Sequence, residues 1–199
     1  MTELNPSARI NLEKASVLLL DDTNEGMGIV VQILTGFGVK KIQRCSTINA
    51  AQDIAIQWEL DLALVNANMR EEEGYDFISW LRRATSCEAN RFTPVIVLSG
   101  HTKTSNVRRA RDCGANYTVA KPLSPAILLE RLIYVAREKR PFVMSDNYAG
   151  PDRRVRDSGP PEGMPGRRNA DRFTQPEPTI PPDPAEDPNT TAQPKRDVR

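Results

Sequence analysis

Short apolar runs alternate with stretches of helical spacing along the first 140 residues. Ser16–Leu20 and residues 62–65 are nearly unbroken apolar runs, short enough to be strands buried on both faces of a parallel sheet. Between them, apolar side chains recur at i, i+3, i+4 and i+7, namely at Met27, Val30, Val31 and Leu34. This spacing predicts a first helix, which Gly36-Phe37-Gly38 ends.

The remaining chain up to residue 140 repeats this alternation. Residues 39–45, 94–98 and 117–120 are predicted strands, and the first of these is polar enough for a sheet edge. Thr47 is predicted to cap a second helix, whose apolar stripe is Ile48, Ala51, Ala55 and Trp58. A third helix runs through Phe77, Ile78 and Leu81, and Ser105 begins a short fourth one. Ser124 caps the last helix, with an inner face of Leu129, Leu132, Ile133 and Ala136.

Five βα units joined by right-handed crossovers predict a three-layer α/β sandwich, the (βα)5 doubly wound fold. The expected strand order in its parallel sheet is 2-1-3-4-5, with the switch point between the first and third strands. Asp21-Asp22 follow the first strand and Asn66 follows the third. Ligands of such sheets bind at the carboxyl ends of the strands, so these side chains are predicted to share one pocket.

Composition limits the classes of function. A net charge of +1 argues against a strong field for nucleic acid, and no apolar run approaches the roughly 20 residues that span a bilayer. We therefore expect no membrane partner. The scattered Cys45, Cys87 and Cys113 are typical of reduced packing cysteines in a cytoplasmic protein. His101 is the single histidine, which disfavours a zinc-type site.

The composition changes near Pro141, because twelve of the sixteen prolines lie from there onward. We predict a flexible N-terminus over 1–13, a folded domain over 14–140, and a disordered Pro/Arg-rich tail over 141–199. The tail contains two arginine pairs, Arg153-Arg154 and Arg167-Arg168. They suit either a short linear motif that folds on a partner or part of a soluble spacer. Nine basic residues face ten acidic ones from 141 onward, which disfavours nucleic acid.

Polar residues at the predicted strand ends carry the functional signal: Asp21, Asp22, Asn66, Ser99-Gly100 and Lys121-Pro122. In this order and spacing they resemble the receiver domain of bacterial response regulators, the CheY-like fold. The resemblance covers residues 14–138, and Met69, Glu73-Gly74 and Gly114-Ala115 extend it.

The resemblance implies a role for each of these positions. In that family two acidic residues hold Mg²⁺, and an aspartate after the third strand accepts a phosphoryl group from a histidine kinase. A Ser or Thr and a lysine, whose bond to proline is cis, then bind the phosphoryl oxygens. Mg²⁺ and the ammonium group neutralise the anionic transition state. By position Asp21, Asp22, Ser99 and Lys121 are all present.

The acceptor position departs from the family, because it is occupied by Asn66. An amide is a poor nucleophile and forms no acyl phosphate. Asp61 cannot substitute, because it lies at the opposite end of the strand. No cofactor is required, and with one carboxylate lost any Mg²⁺ site at Asp21, Asp22 and Asn68 is expected to be weak. A metal-free network of ion pairs with Lys121 is the alternative.

The switch position of the family, usually aromatic, is Thr118, and Tyr117 is displaced by one residue. A shift of one residue reverses the facing of a strand side chain, so Tyr117 is not expected to act as the switch. Arg108, Arg109 and Arg111 on the fourth helix, with Tyr117, lie on the usual partner surface of the family. The alternative for these arginines is a solvated helix face.

We therefore interpret the chain as a pseudo-receiver, a non-enzymatic signalling adaptor in bacterial two-component-type signalling that acts without phosphorylation. Its expected partner is a protein such as a histidine kinase, a phosphotransferase or another regulator, and homodimerisation stays open. One alternative is a receiver that still responds to Mg²⁺ and a phosphoryl group or small ligand through a non-standard site. Another is a nucleic-acid-associated regulator that uses the arginine-rich tail.

Overall fold

The computed structural model describes residues 12–69, 73–100, 104–153 and 172–173. Its centre is a five-stranded parallel sheet in the order β2-β1-β3-β4-β5, which confirms the predicted order. The strands are β1 Ser16–Leu20, β2 Lys41–Cys45, β3 Leu62–Asn66, β4 Val95–Ser99 and β5 Tyr117–Ala120. The connecting helices are α1 Asn24–Gly36, α2 Ile48–Gln57, α3 Gly74–Arg83, α4 Thr104–Asp112 and α5 Pro125–Ala136. A 3₁₀ turn, Thr85–Asn90, follows α3.

Side-chain alternation along the strands divides the core into two layers. Leu18, Leu20 and Val65 pack against α2, α3 and α4, whereas Leu19 and Leu64 pack against α1 and α5. All residues of β3 and β4 are buried, as expected for central strands covered on both faces. Burying each large aliphatic side chain contributes about 1.5–3 kcal/mol, so these two layers fix the positions of the strand ends.

Two details of the predicted helices are wrong. The buried face of α5 is Leu128, Leu132 and Val135, so of the predicted Leu129, Leu132, Ile133 and Ala136 only Leu132 is confirmed. This helix is apolar over most of its circumference, so packing against the sheet, and not the spacing, selects the inner face. Trp58 is 52% exposed, because the chain has left α2 in an extended conformation at that residue.

The structure contradicts the predicted disorder over residues 141–153, where the chain is ordered. A β-hairpin follows α5, with β6 Phe142–Ser145 antiparallel to β7 Tyr148–Pro151. A two-residue strand, β8 Arg172–Phe173, pairs with the other edge of β6. At the N-terminus, Leu12 is buried in the core, although the sequence predicts a flexible segment there. Residues 1–11, 154–171 and 174–199 lie outside the described residues.

The hairpin packs where β4 and β5 begin, opposite the carboxyl ends of the strands. Phe142 is 1% exposed and meets Phe92 edge-on, with ring centroids 4.8 Å apart. Gly114 has φ +94, and a Cβ there would lie 2.3 Å from the carbonyl oxygen of Ala149. A side chain at Gly114 is therefore excluded twice, by the left-handed backbone and by the hairpin.

Arg82 connects α3 to this region from the interior. Its guanidinium is buried and donates to the carbonyl oxygens of Gly114, Arg91 and Thr93 at 3.0, 2.6 and 2.8 Å. It also donates to the Asn116 side-chain oxygen at 3.2 Å. Burial lowers the pKa of Arg82 to about 10, since low polarity disfavours the charged form. The carbonyl dipoles compensate the positive charge of Arg82. The hydrogen bonds to them also fix the turns that precede β4 and β5.

Candidate functional site

Asp21 follows β1 directly and is fully buried. Its Oδ1 accepts hydrogen bonds from the backbone N–H and the hydroxyl of Thr23, at 2.9 and 2.6 Å. Thr23 is also the N-cap of α1 and accepts from the N–H of Gly26. A Cβ on Gly26 would lie 2.6 Å from Asp21 Oδ2. The sequence analysis identified neither Thr23 nor Gly26 as a contact of Asp21, although a threonine before a helical stripe is a recognisable cap signal.

Asn66 is the last residue of β3 and is 5% exposed. Its amide nitrogen lies 3.3 Å from Asp21 Oδ1, 3.4 Å from Asp22 Oδ1 and 3.0 Å from the carbonyl oxygen of Asn68. Two N–H groups therefore serve three acceptors. The predicted convergence of the β1 and β3 ends is thus present in the structure, and the amide lies between the two carboxylates.

Lys121 closes the pocket from the end of β5. Its ammonium donates to Asp21 Oδ2 at 2.9 Å and to Asn66 Oδ1 at 3.2 Å. Its backbone N–H donates to the carbonyl oxygen of Ser99 at 2.8 Å, and Ser99 is fully buried at the end of β4. The bond from Lys121 to Pro122 is cis, as the resemblance implies. All five predicted pocket residues thus come from four adjacent strand ends.

The model of the response regulator receiver domain family matches residues 17–133, more than half of the chain. The chain belongs to this family. Chemotaxis protein CheY-3 of Vibrio cholerae is 24% identical over 116 residues, which cover 58% of this chain and 87% of that protein. The structure of V. cholerae chemotaxis protein CheY4 crystallised at low pH has a TM-score of 0.56 and 25% identity, over 61% of this chain and 98% of that one.

Other relatives are much longer proteins. A probable cyclic di-GMP phosphodiesterase of V. cholerae is 27% identical over 130 residues, which are 65% of this chain and 28% of that protein. The sensory/regulatory protein RpfC of Xanthomonas campestris is 28% identical over 137 residues, which are 68% of this chain and 19% of that protein. This chain therefore spans less than a third of the length of these two relatives.

The pocket of this receiver fits Mg²⁺ poorly as its side chains stand. The expected ligands Asp21, Asp22 and Asn68 are brought together, but their oxygens surround an amide nitrogen at 3.0–3.4 Å. Mg²⁺ requires oxygen ligands at about 2.0–2.1 Å in octahedral geometry, and the N–H donors of Asn66 point into that space. Within the described ranges, no group of three His, Cys, Asp or Glu side chains is arranged to hold a metal.

The loop after β3 connects the pocket to α4. Asn68 forms a β-bridge with Glu73, and Glu73 pairs with Arg109 of α4. The Arg109 guanidinium also lies 4.8 Å above the ring of Tyr75. Tyr75 is 3% exposed, and burial raises the pKa of its hydroxyl. Sequence reasoning did not identify Glu73 or Tyr75 as contacts of α4, because no spacing rule relates positions so far apart.

Of the residues proposed for the partner surface, Arg108, Arg109 and Arg111 are exposed on α4. Tyr117 is half-buried against α5, 5.5 Å from the ring of Tyr134 and 4.7 Å from the Arg131 guanidinium. Tyr117 and Val119 both pack on the α1 and α5 side of the sheet. Thr118, between them, faces the α4 side, which is the reversal of facing expected from the one-residue displacement.

Of the tail motif, only Arg153 is described. Its guanidinium lies 3.9 Å from the ring centroid of Tyr148 and 3.2 Å from Asp112 Oδ1. Arg154, Arg167, Arg168 and also His101 lie outside the described residues. No helix in the described part of the chain has the length and apolarity needed to cross a membrane.

Proposed function

We propose that this receiver is a pseudo-receiver, a protein-interaction module of two-component signalling that acts without phosphorylation and has no enzymatic activity. The observation that carries the proposal is the state of Asn66. Its amide nitrogen contacts both pocket carboxylates, and its oxygen accepts from Lys121. The groups that serve phosphoryl transfer in the family therefore bind one another here.

The chemistry of the acceptor position supports this proposal. Forming an acyl phosphate requires a carboxylate oxygen as the nucleophile, and the electrons of an amide nitrogen are delocalised into its carbonyl. Asp61 is occupied at the far end of the sheet, where its Oδ2 accepts from the backbone N–H of Ser16 at 2.8 Å. Among the described residues it is a structural carboxylate, not a replacement acceptor.

The electrostatics of the pocket support the same proposal. The Lys121 ammonium and the Asn66 amide group both donate to Asp21, which Thr23 also holds by two hydrogen bonds. A fully buried carboxylate is stable only when it is paired and hydrogen-bonded. A metal ion entering this site must first displace the Asn66 amide, and each hydrogen bond lost to a charged group costs about 1.5–3 kcal/mol. We therefore propose that the module needs no metal.

The proposed partner is a cytoplasmic signalling protein that binds the exposed face of α4, with Arg108, Arg109 and Arg111, and the neighbouring Tyr117. Relatives support a protein partner, since one is a sensory/regulatory protein. The receiver domain of the sensor histidine kinase PA1611 from Pseudomonas aeruginosa PAO1 has the same fold, with a TM-score of 0.53 and 21% identity, over 60% of this chain and 94% of that one. The α4 arginines lie on the surface and are not pocket residues, so a partner can contact them without touching the pocket.

The test is an NMR titration of the full-length protein with Mg²⁺ and then beryllofluoride, beside the Asn66→Asp variant. We expect backbone shifts around Asp21, Ser99 and Lys121 in the variant and none in the native protein. If the native pocket shifts and the changes extend into α4, the pseudo-receiver proposal is wrong. A receiver that responds to Mg²⁺ and a phosphoryl group or small ligand then replaces it.

A further inference from the structure

The C-terminal hairpin adds a basic residue to α4 at a position that the family model, which ends at residue 133, does not include. Arg153 Nη1 lies 3.2 Å from Asp112 Oδ1, and Arg111 Nε lies 3.7 Å from the same oxygen. Arg108 is also exposed, one turn before Arg111 on α4. Two guanidinium groups thus contact one carboxylate, and a third exposed arginine lies one helical turn away. We call Arg108, Arg111 and Arg153 the arginine cluster.

The arginine cluster is accessible and borders an apolar residue. The side chains of Arg111 and Arg153 are 50% and 40% exposed. Val107, one turn before Arg111 on the same helix, is 45% exposed. An exposed aliphatic side chain beside surplus positive charge suits an extended acidic segment that carries an aliphatic residue, by charge and apolar complementarity.

The chain itself contains such a segment. Residues 173–194 contain no lysine, arginine or histidine, and carry four acids at Glu177, Asp183, Glu186 and Asp187. Ile180 supplies an aliphatic side chain among them. By contrast, residues 154–172 contain five arginines and three acids. The C-terminal part of the chain is therefore divided into a basic part followed by an acidic one.

The length of the intervening chain allows this acidic segment to reach the arginine cluster. Arg153 belongs to the cluster, and the 24 residues from there to Glu177 reach up to about 80 Å when fully extended. In addition, β8 pairs Arg172 and Phe173 with β6 of the hairpin. Glu177 follows Phe173 by only four residues, a span of at most about 14 Å, so the start of the acidic segment is within reach of the hairpin that carries Arg153.

We propose that residues 175–188 of this chain dock on the arginine cluster and cover the exposed face of α4. This inference rests on the proposed function in one respect, because Arg108 and Arg111 belong to the proposed partner surface. A partner must then compete with the acidic segment for α4. Tethering raises the effective concentration to the millimolar range, so docking keeps the surface largely covered when its intrinsic dissociation constant lies well below about 1 mM.

The first experiment uses the full-length protein and a variant with four neutralised acids, Glu177→Gln, Asp183→Asn, Glu186→Gln and Asp187→Asn. The side-chain Nε–H signals of the cluster arginines are recorded by NMR at low and high NaCl. We expect salt to move these signals in the native protein, since exposed pairs are screened. In the neutralised variant salt should move them less, because only the pairs with Asp112 remain to be screened. Identical signals in the two proteins at low salt would overturn the proposal.

The second experiment supplies the segment in trans. A synthetic peptide of residues 174–189 is titrated into the neutralised variant, and shifts of the cluster arginines are followed. Replacing the three cluster arginines by glutamine should weaken binding about tenfold, the effect of three exposed ion pairs of ordinary strength. The matched control variant carries glutamine at Lys40, Lys41 and Arg44, which are exposed on and beside β2 at the opposite edge of the sheet. This variant should bind the peptide as tightly as the protein with an intact arginine cluster.

Three outcomes would contradict the proposal. The first is equal weakening of peptide binding in the control variant. The others are signals that depend on protein concentration, which would show that a second copy covers the cluster, and displacement of the peptide by a short DNA duplex. The first would mean non-specific charge attraction, and the last would mean a nucleic-acid surface. None of them involves the Asn66 pocket. The Mg²⁺ and beryllofluoride titration therefore tests the pseudo-receiver proposal separately.

Discussion

The pocket makes a quantitative prediction for Asn66→Asp in the absence of metal. The substitution replaces the amide nitrogen, which lies 3.3 and 3.4 Å from two carboxylate oxygens, with a third carboxylate oxygen. Each lost hydrogen bond to a charged group contributes about 1.5–3 kcal/mol. Each new pair of like charges at about 4 Å adds roughly 4 kcal/mol of repulsion at an effective dielectric constant of 20.

Two effects limit this loss. Lys121, which donates to Asn66 Oδ1 at 3.2 Å, gains a charged partner. The new carboxyl can also remain protonated, which costs about 1.36 kcal/mol per pH unit above its unfolded pKa of about 3.9, or roughly 4 kcal/mol at pH 7. We therefore expect the variant to lose about 3–4 kcal/mol of unfolding free energy at pH 7. Folding raises the pKa of the introduced carboxyl, so the loss is full near neutral pH and shrinks as pH falls towards about 4.

The measurement is urea unfolding of the full-length native and Asn66→Asp proteins in EDTA at several pH values, followed by the same series with Mg²⁺. Mg²⁺ should stabilise the variant by about 1.4 kcal/mol at ten times its dissociation constant and leave the native protein unchanged. Gln57→Glu adds the same charge at the exposed end of α2 and should stay within about 0.5 kcal/mol of native. A variant as stable as the native protein in EDTA would refute the argument that the amide neutralises this pocket.

Three further variants test other contacts by chemical denaturation. Gly114→Ala should lower the unfolding free energy by about 2–4 kcal/mol, because φ is +94 and the Ala149 carbonyl lies against Gly114. The control Gly28→Ala, at an open helical position, should raise the unfolding free energy by about 0.5–1 kcal/mol. Equal effects of the two substitutions would contradict the hairpin contact. Arg82→Ala should cost about 3–5 kcal/mol, because it removes the donor from four acceptors, of which, among the described residues, only Asn116 Oδ1 keeps a second bond, from the N–H of Val95. A cost below about 1 kcal/mol would contradict that role. A double-mutant cycle of Glu73 and Arg109 should give about 0.2–1 kcal/mol, since both are half-exposed; a coupling above about 2 kcal/mol would show a stronger link between the pocket and α4.

The sheet and the pocket were predictable from sequence because each depends on short-range patterns. Buried strands such as β3 are unbroken apolar runs, and the right-handed crossover rule then leaves few topologies. Once strand order is fixed, the residues that end β1, β3 and β5 must meet, which brings Asp21, Asn66 and Lys121 together. The hydrogen bonds that Asn66 makes to both carboxylates were not predictable, because they depend on side-chain rotamers that no spacing specifies.

The hairpin was missed because its stability comes from long-range contacts. Residues 141–151 contain two prolines and few large aliphatic side chains, which is typical of a tail. Phe142 and Gly150 become structural only against Phe92 and Gly114, which lie in distant parts of the chain. The prediction of the buried face of α5 was partly wrong for a related reason. In an almost uniformly apolar helix, packing against neighbouring elements determines which face is buried.

The hairpin also determines where this molecule can be divided. A fragment cut after α5, where the receiver homology ends, would uncover the Phe92 ring and the Gly114 turn and would remove the ring that lies 5.7 Å from the Arg82 guanidinium. Such a fragment is expected to be less soluble than the parent chain and poorly suited to fusion or domain-exchange work. The smallest unit suited to transplantation ends at Arg153. A graft ending there keeps the interior closed and still presents α4 to a new partner.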